Sequence, residues 1–378
     1  MNDKRCPSTR FLSSFTLKTL ITGFYLTLMA LFLYSPLIWE YLGSADNTLN
    51  VCAFTETFCP EALELFEQET GVKVKMTYVE TDEQIYAKFK INQGQGYDVV
   101  NISDFMVQIL AKQDLLHKLD HKNIPNKAQL NTNLLHHPFD PLNTYSLPHK
   151  WFMYGLVYHK DFFKKDPADM DLGYIFNHPQ DLTKSGLVGQ PYRLCMIDSP
   201  RDAFFLAELY LFGTLDALTN QQVEKITQLL IAQKQWVECY TLYTTEYFLF
   251  SQLVPIALTS SNFMRKILDV SNQFDFAIPK QGGILVVENL VIPKISKKKE
   301  MATRFINFML SDRAALINGL TYGWSSANSR ANQTVDKQYT VCPHLCPDTT
   351  IFKRLHIPLF SLEMDKLAYD SWLNVEFA

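Results

Sequence analysis

From residue 49 onward the sequence alternates strand-like and helix-like segments, and this alternation limits the fold more than any other feature. Residues 49–54 read as a strand. Pro60 suits a first helical position, Leu63 and Phe66 fall on one helix face, and Gly71 is a helix stop. Val72, Val74, Met76 and Tyr78 then alternate with the two-residue period of a half-buried strand. Residues 82–91 are helical in pattern, with Ile85 and Phe89 on one face. Residues 97–102 form a mostly apolar strand interrupted by Asp98 and Asn101, and Ser103 can cap a helix through Met106, Ile109 and Leu110. Three such pairs in succession predict an α/β domain whose parallel sheet is covered by helices.

The segment 123–151 breaks the pattern. It holds Pro125, Pro138, Pro141 and Pro148 and reads as an irregular connection between lobes. A second α/β unit follows, with strands at 192–197, 254–258, 274–279 and 284–292, the last two flanking a Gly282-Gly283 turn. Ser199-Pro200 caps a helix carrying Phe204, Phe205 and Leu209; further helices are predicted at 221–235, 299–310 and 312–318. There is no internal repeat and no low-complexity tract.

The first 47 residues differ. Lys4, Arg5, Arg10 and Lys18 precede a run, 19–42, whose one charged residue is Glu40. Residues 20–39 are long enough to cross a bilayer as a helix, and the basic flank predicts a cytoplasmic start. An uncleaved anchor, a signal peptide cleaved near Gly43-Ser44-Ala45, and a buried core helix are all compatible with this segment. Under either of the first two, the remainder is exported. Six of the seven cysteines then lie where disulfides persist. Cys342 and Cys346 lack the spacing and the second ligand pair of a structural zinc site, so bridging or buried thiols is the simpler reading. With 47% apolar and 20% charged residues the chain is globular, and a net charge of −4 argues against nucleic-acid binding.

Single polar residues stand where apolar runs give way to helix starts: Thr55 and Glu56, Ser103, Asp202, Glu288 and Tyr322. In an open α/β sheet such positions converge on one cleft. Three are carboxylates, which suits a cation. Each also has a plain structural reading: Glu56 as a solvated loop charge, Ser103 as a helix cap, Asp202 as a first-turn partner of the helix dipole.

Several segments appear in an order that resembles a known family. They are Phe54-Thr55-Glu56, Glu69-Thr70-Gly71-Val72-Lys73-Val74, Tyr86 to Lys90, Tyr97-Asp98-Val99-Val100 leading to Ser103, and Pro138-Phe139-Asp140-Pro141 with Trp151. Later come Pro279-Lys280-Gln281-Gly282-Gly283, Glu288 to Pro293, Phe305 to Met309, and Tyr322. Together they resemble the periplasmic spermidine/putrescine-binding proteins of ABC transporters. The resemblance implies a two-lobe, type II periplasmic-binding-protein-like α/β fold after an N-terminal transmembrane or signal helix (1–47). Lobe 1 is expected at 48–152 with 287–332, and lobe 2 at 153–286 with 333–378. A polyamine would be held between them by hinge closure.

By position, the resemblance assigns Phe54 to stacking on the polyamine, Thr55 and Glu56 to a hydrogen-bonding pair, and Ser103 and Phe105 to a polar and an aromatic contact. Asp202 and Glu288 would meet amines, and Tyr322 would be a polar aromatic. Ser199 stands where the family has an acid, and Leu258 and Val286 where it has tryptophans. The implied partners are the polyamine and an inner-membrane ABC permease, for a periplasmic monomer that is free or tethered by residues 20–39. No nucleic acid, cofactor, metal or catalysis is expected. The alternative is a membrane-anchored sensor, or a binder of another cationic small molecule. An enzyme would have to use Cys195 or Cys239 with His149, His159 or His178. The amine reading also expects acids facing a gap free of lysine and arginine.

Overall fold

The computed structural model describes residues 22–29, 32, 34, 47–213, 218–241, 244–358 and 362–378. The chain divides into a first unit, Met1–Thr48 with Gly71–Lys73, and a second, Leu49–Thr70 with Val74–Ala378. In the first, residues 22–29 are helical with exposed side chains, and the Asn47 carbonyl accepts from the Lys73 N–H at 2.9 Å. Among the described residues no helix is long and apolar enough to cross a membrane. Half of the segment 20–39, on which the signal or anchor expectation rests, lies outside the described residues.

The second unit is built on one mixed sheet of eleven strands among the described residues. These are β1 (Thr48–Phe54), β2 (Lys73–Val79), β3 (Val99–Ser103), β4 (Ser146–His159), β5 (Leu194–Met196), β6 (Val237–Tyr240), β7 (Ile256–Ser260), β8 (Phe274–Ala277), β9 (Gly283–Val291), β10 (Ser325–Ser326) and β11 (Leu355–His356). The order is β2-β1-β3-β9-β4-β7-β5-β6, with β8 and β10 on β4 and β11 on β9. The predicted helices form where the caps and periodicity place them. Helix Pro60–Thr70 begins on Pro60, helix Asp82–Asn92 is capped by Thr81, and helix Pro200–Phe212 is capped by Ser199, whose oxygen accepts from the Asp202 N–H.

Two expectations need correction. The sheet is not parallel throughout. β1 pairs β3, and β5 pairs β6 and β7, in parallel, but β9 runs antiparallel to β3 and β4, and β4 antiparallel to β7 and β8. The segment 123–151 is also not wholly irregular. Its last six residues open β4, a 14-residue strand. Pro148, His149 and Lys150 hide this strand from a periodicity reading, and a register irregularity between Pro148 and Lys150 accommodates the proline.

Two apolar cores stand out among the described residues. One gathers Cys52, Val100, Ile102, Phe105, Leu110 and Val291; the other gathers Leu156, Phe204, Ile256, Ile284 and Trp372. β9 contributes Val291 to the first and Ile284 to the second, and it pairs with β4 along most of its length. These two strands therefore run from one core into the other, and residues midway along them sit where the cores meet.

Cys195 on β5 and Cys239 on β6 are register partners, with their thiol sulfurs 3.0 Å apart. Burial raises both thiols, so only prolonged incubation with glutathione disulfide is expected to join them by thiol–disulfide exchange, releasing two reduced glutathiones. Thiol titration should then show two fewer free thiols, and peptide mapping one crosslink between these positions. A map without that crosslink contradicts the expectation.

Candidate functional site

All eight residues assigned by resemblance border a single cleft of about 510 Å³. Thr55 and Glu56 follow the end of β1, with Glu56 in the left-handed region at φ 58°. Ser103 ends β3, and Phe105 lies in the first turn of helix Asp104–Lys112. Asp202 is in the first turn of helix Pro200–Phe212. Phe54 is the last residue of β1, whereas the remaining two lie at neither a strand end nor a helix start. Glu288 lies midway along β9, and Tyr322 is the last residue of helix Asp312–Tyr322. Ser103 occupies the cap position of its helix, but its side chain makes no cap hydrogen bond.

The aromatic walls are wider than the sequence indicates. Phe152, Tyr154, Phe263 and Trp324 border the cleft beside Phe54, Phe105 and Tyr322. Phe152 and Tyr154 project from the same face of β4, two residues apart, and their rings meet edge to face at 5.5 Å. Trp324 is held by its indole N–H donating to the Glu56 carbonyl at 3.0 Å. Of the two departures from the family, Val286 borders the cleft, while Leu258 is buried in the second core.

The expected gap free of cations is not what the structure contains. Lys150 pairs with Glu288 at 3.2 Å, and Lys266 with Glu56 at 3.0 Å. Arg201 lays its guanidinium 3.3 Å from the centre of the Phe105 ring and pairs with Asp365 at 3.2 Å and Glu83 at 3.7 Å. Two of the three predicted acids thus have an internal cation. Asp202, the third, accepts from the Ser199 hydroxyl at 2.8 Å and feels the adjacent Arg201 charge. The cleft nevertheless keeps an excess of acid. Glu56, Glu80, Asp82, Glu83, Asp104, Asp202, Glu246 and Glu288 border it, against Lys150, Arg201 and Lys266.

Burial controls how these acids titrate. Desolvation pushes Asp82 and Asp104 up to about 7, against hydrogen bonds from the Ser103 N–H to Asp82 and from the Val287 and Phe105 N–H groups to Asp104. Desolvation also raises Glu288, opposed by Lys150, and raises Asp202, opposed by Arg201. For Asp104 the folded value lies above the ordinary 3.8. Its contribution to stability is therefore fully present at low pH and is lost as pH rises through about 7. Asparagine does not titrate. The Tm advantage of wild type over Asp104→Asn is expected to shrink between pH 5 and pH 8, as calorimetry or thermal melts would show; a constant difference would contradict the assignment.

Three buried oxygens bordering the cleft have no hydrogen-bond partner: Glu246 Oε2, Asn262 Oδ1 and Glu288 Oε2. Asn101 lies close enough to favour the Glu288 carboxylate, but its amide donates to the Asn289 carbonyl at 3.3 Å. These three are acceptors; a fourth unpartnered buried atom on a residue bordering the cleft, Arg201 Nε, is a donor that already faces Asp365 at 3.2 Å. Burial without a partner costs roughly 1–3 kcal/mol per group, so the cleft is complementary to a ligand rich in N–H donors. A separate hollow of about 400 Å³ lies among Glu69, Asn126, Arg304, Asn307 and Arg313, away from these residues.

The sequence profile of the bacterial extracellular solute-binding proteins matches residues 61–345. This chain belongs to that family. The solute-binding protein is 27% identical to the spermidine/putrescine-binding periplasmic protein 1 of Haemophilus influenzae, over 83% of this chain and 84% of the relative. It is 27% identical to a putrescine/cadaverine-binding protein of Pseudomonas aeruginosa, over 83% of this chain and 88% of the relative. Its structure superposes on that of a spermidine/putrescine ABC transporter substrate-binding protein from Streptococcus pneumoniae with a TM-score of 0.74 and 25% identity, covering 88% of this chain and 99% of that one.

The solute-binding protein therefore has the two-lobe α/β periplasmic-binding-protein fold, acts outside the cytoplasm, and is a binding protein of transport, not an enzyme. The cysteine chemistry agrees with this. Burial raises both Cys195 and Cys239, the reverse of an activated thiol, and burial holds His149 neutral, down to about 3.

Proposed function

We propose that this solute-binding protein captures a small aliphatic amine of the putrescine/spermidine class in the acidic cleft and delivers it to an ABC permease of the inner membrane. The observation that carries the reading is the cleft's chemistry. It offers an excess of carboxylates, orphaned acceptor oxygens on Glu246 and Asn262, and aromatic walls. An ammonium group has three donors and no acceptor, aromatic faces attract it by roughly 0.5–2 kcal/mol each, and the walls shelter the methylenes between ammonium groups.

Phe54, Phe105 and Tyr322 are assigned as wall residues, Thr55 and Ser103 as polar contacts, and Glu56, Asp202 and Glu288 as the charged groups that set the cleft's potential. The separation of these two cores supports lobes at 48–152 with 287–332 and at 153–286 with 333–378. The protein works as a monomer, and residues 20–39 either tether it to the inner membrane or direct its export. The test is a thermal-shift screen across diamines, triamines, basic amino acids and ferric iron. Diamines or triamines are expected to raise Tm and iron is not. A flat response to every amine, or a response to iron alone, contradicts the function.

A further inference from the structure

We infer that Lys150 is a built-in occupant of one ammonium subsite of this cleft, so that the protein selects diamines over triamines. The inference rests on the amine-binding reading and makes it more specific. Lys150 on β4 and Glu288 on β9 are register partners on antiparallel strands, so their side chains leave the sheet on the same face, within direct reach. They meet at 3.2 Å, and each side chain is only 8% exposed. The same ammonium stands 5.9 Å from the centre of the Trp324 ring. A carboxylate below and an aromatic face beside it are the surroundings a bound ligand ammonium requires. Here the chain supplies that ammonium itself.

Two consequences follow from the electrostatics. A ligand ammonium brought to Glu288 meets a like charge at contact distance, in a place where solvent screens little. Moving Lys150 aside is costly, because it separates a buried ion pair and strands both charges. The rest of the cleft keeps unfilled acceptors, Glu246 Oε2 and Asn262 Oδ1, together with Asp202 on the helix Pro200–Phe212. The amine therefore has acidic partners away from Glu288 but none at it. With Lys150 seated on Glu288, the cleft offers a ligand one ammonium subsite fewer than it would without that lysine. Lys150 is thus a specificity-determining residue that acts through the Glu288 subsite.

The test is calorimetric titration of putrescine and spermidine into four forms of the purified chain: wild type, Lys150→Met, Lys150→Arg, and Lys150→Met combined with Glu288→Gln. Wild type is expected to bind putrescine more tightly than spermidine. Lys150→Met leaves Glu288 open and should shift the affinity ratio toward spermidine by about tenfold or more. Lys150→Arg keeps the cation and should keep the wild-type ranking. The double variant has no charge at either position and should return to that ranking, which a loss of packing alone would not produce. Lys150→Gln serves as the neutral variant if the methionine form does not fold. Amines that bind with an unchanged ratio in the neutral variant, or a wild type that prefers spermidine, overturn the inference and leave the amine-binding reading in place. Absence of binding of either amine in all forms removes both.

Discussion

Replacing Arg201 with alanine is expected to destabilise the folded chain by about 3–5 kcal/mol, the range for stranding buried charges. Its side chain is 14% exposed, and so nearly is that of its partner Asp365, at 15%. Burial itself disfavours the Arg201 charge, but Asp202, Asp365, Asp82 and Glu83 more than compensate and hold the guanidinium firmly protonated. Removing it leaves those acids to repel one another around a vacated face of Phe105. The half-exposed Glu83 contributes little to this total because solvent screens it. Thermal melts at neutral pH should show Tm falling on the order of 5–10 °C. Burial raises Asp82, Asp202 and Asp365, so these acids take up protons as pH falls, and the deficit of Arg201→Ala should narrow at pH 5. A Tm within 1 °C or so of wild type at neutral pH would contradict this role.

The second large effect falls on binding. Glu246 borders the cleft with Oε2 buried and unpartnered. A charge-assisted hydrogen bond to a ligand ammonium contributes roughly 1.5–3 kcal/mol net. Glu246→Ala is therefore expected to weaken putrescine binding by about tenfold to a hundredfold. Its effect on Tm without ligand should be small, because the lost carboxylate oxygen satisfies nothing in the free protein. Unchanged affinity in calorimetry would show that the orphaned oxygen does not face the ligand.

Much of this arrangement is legible in the sequence, for identifiable reasons. Caps and breakers place the helices: Pro60, Ser199 and Gly71 act within a few residues of themselves, so a linear reading finds them, whereas the Thr81 cap emerges only in the structure. Six of the eight site residues converge because β1, β3 and the helix Pro200–Phe212 all end or begin at the cleft. Glu288 converges for another reason. β9 lies between β3 and β4, so its middle falls where the two cores meet. What the sequence does not reveal is chiefly non-local. Lys266 meets Glu56 across 210 residues, and Lys150 meets Glu288 only because β4 and β9 pair in that register. β4 itself escapes notice because Pro148, His149 and Lys150 look like a connection, yet all three are buried in the strand. Arg201, adjacent to Asp202, is the one cleft cation that a closer reading of that helix start had within reach.

The central claim is that the acid-rich cleft of this chain takes a cationic aliphatic amine despite its three internal cations. Isothermal titration of putrescine into the purified full chain tests it most directly. The account predicts one site per chain with low-micromolar or tighter affinity. No measurable heat with putrescine, spermidine or cadaverine at any accessible concentration would contradict it.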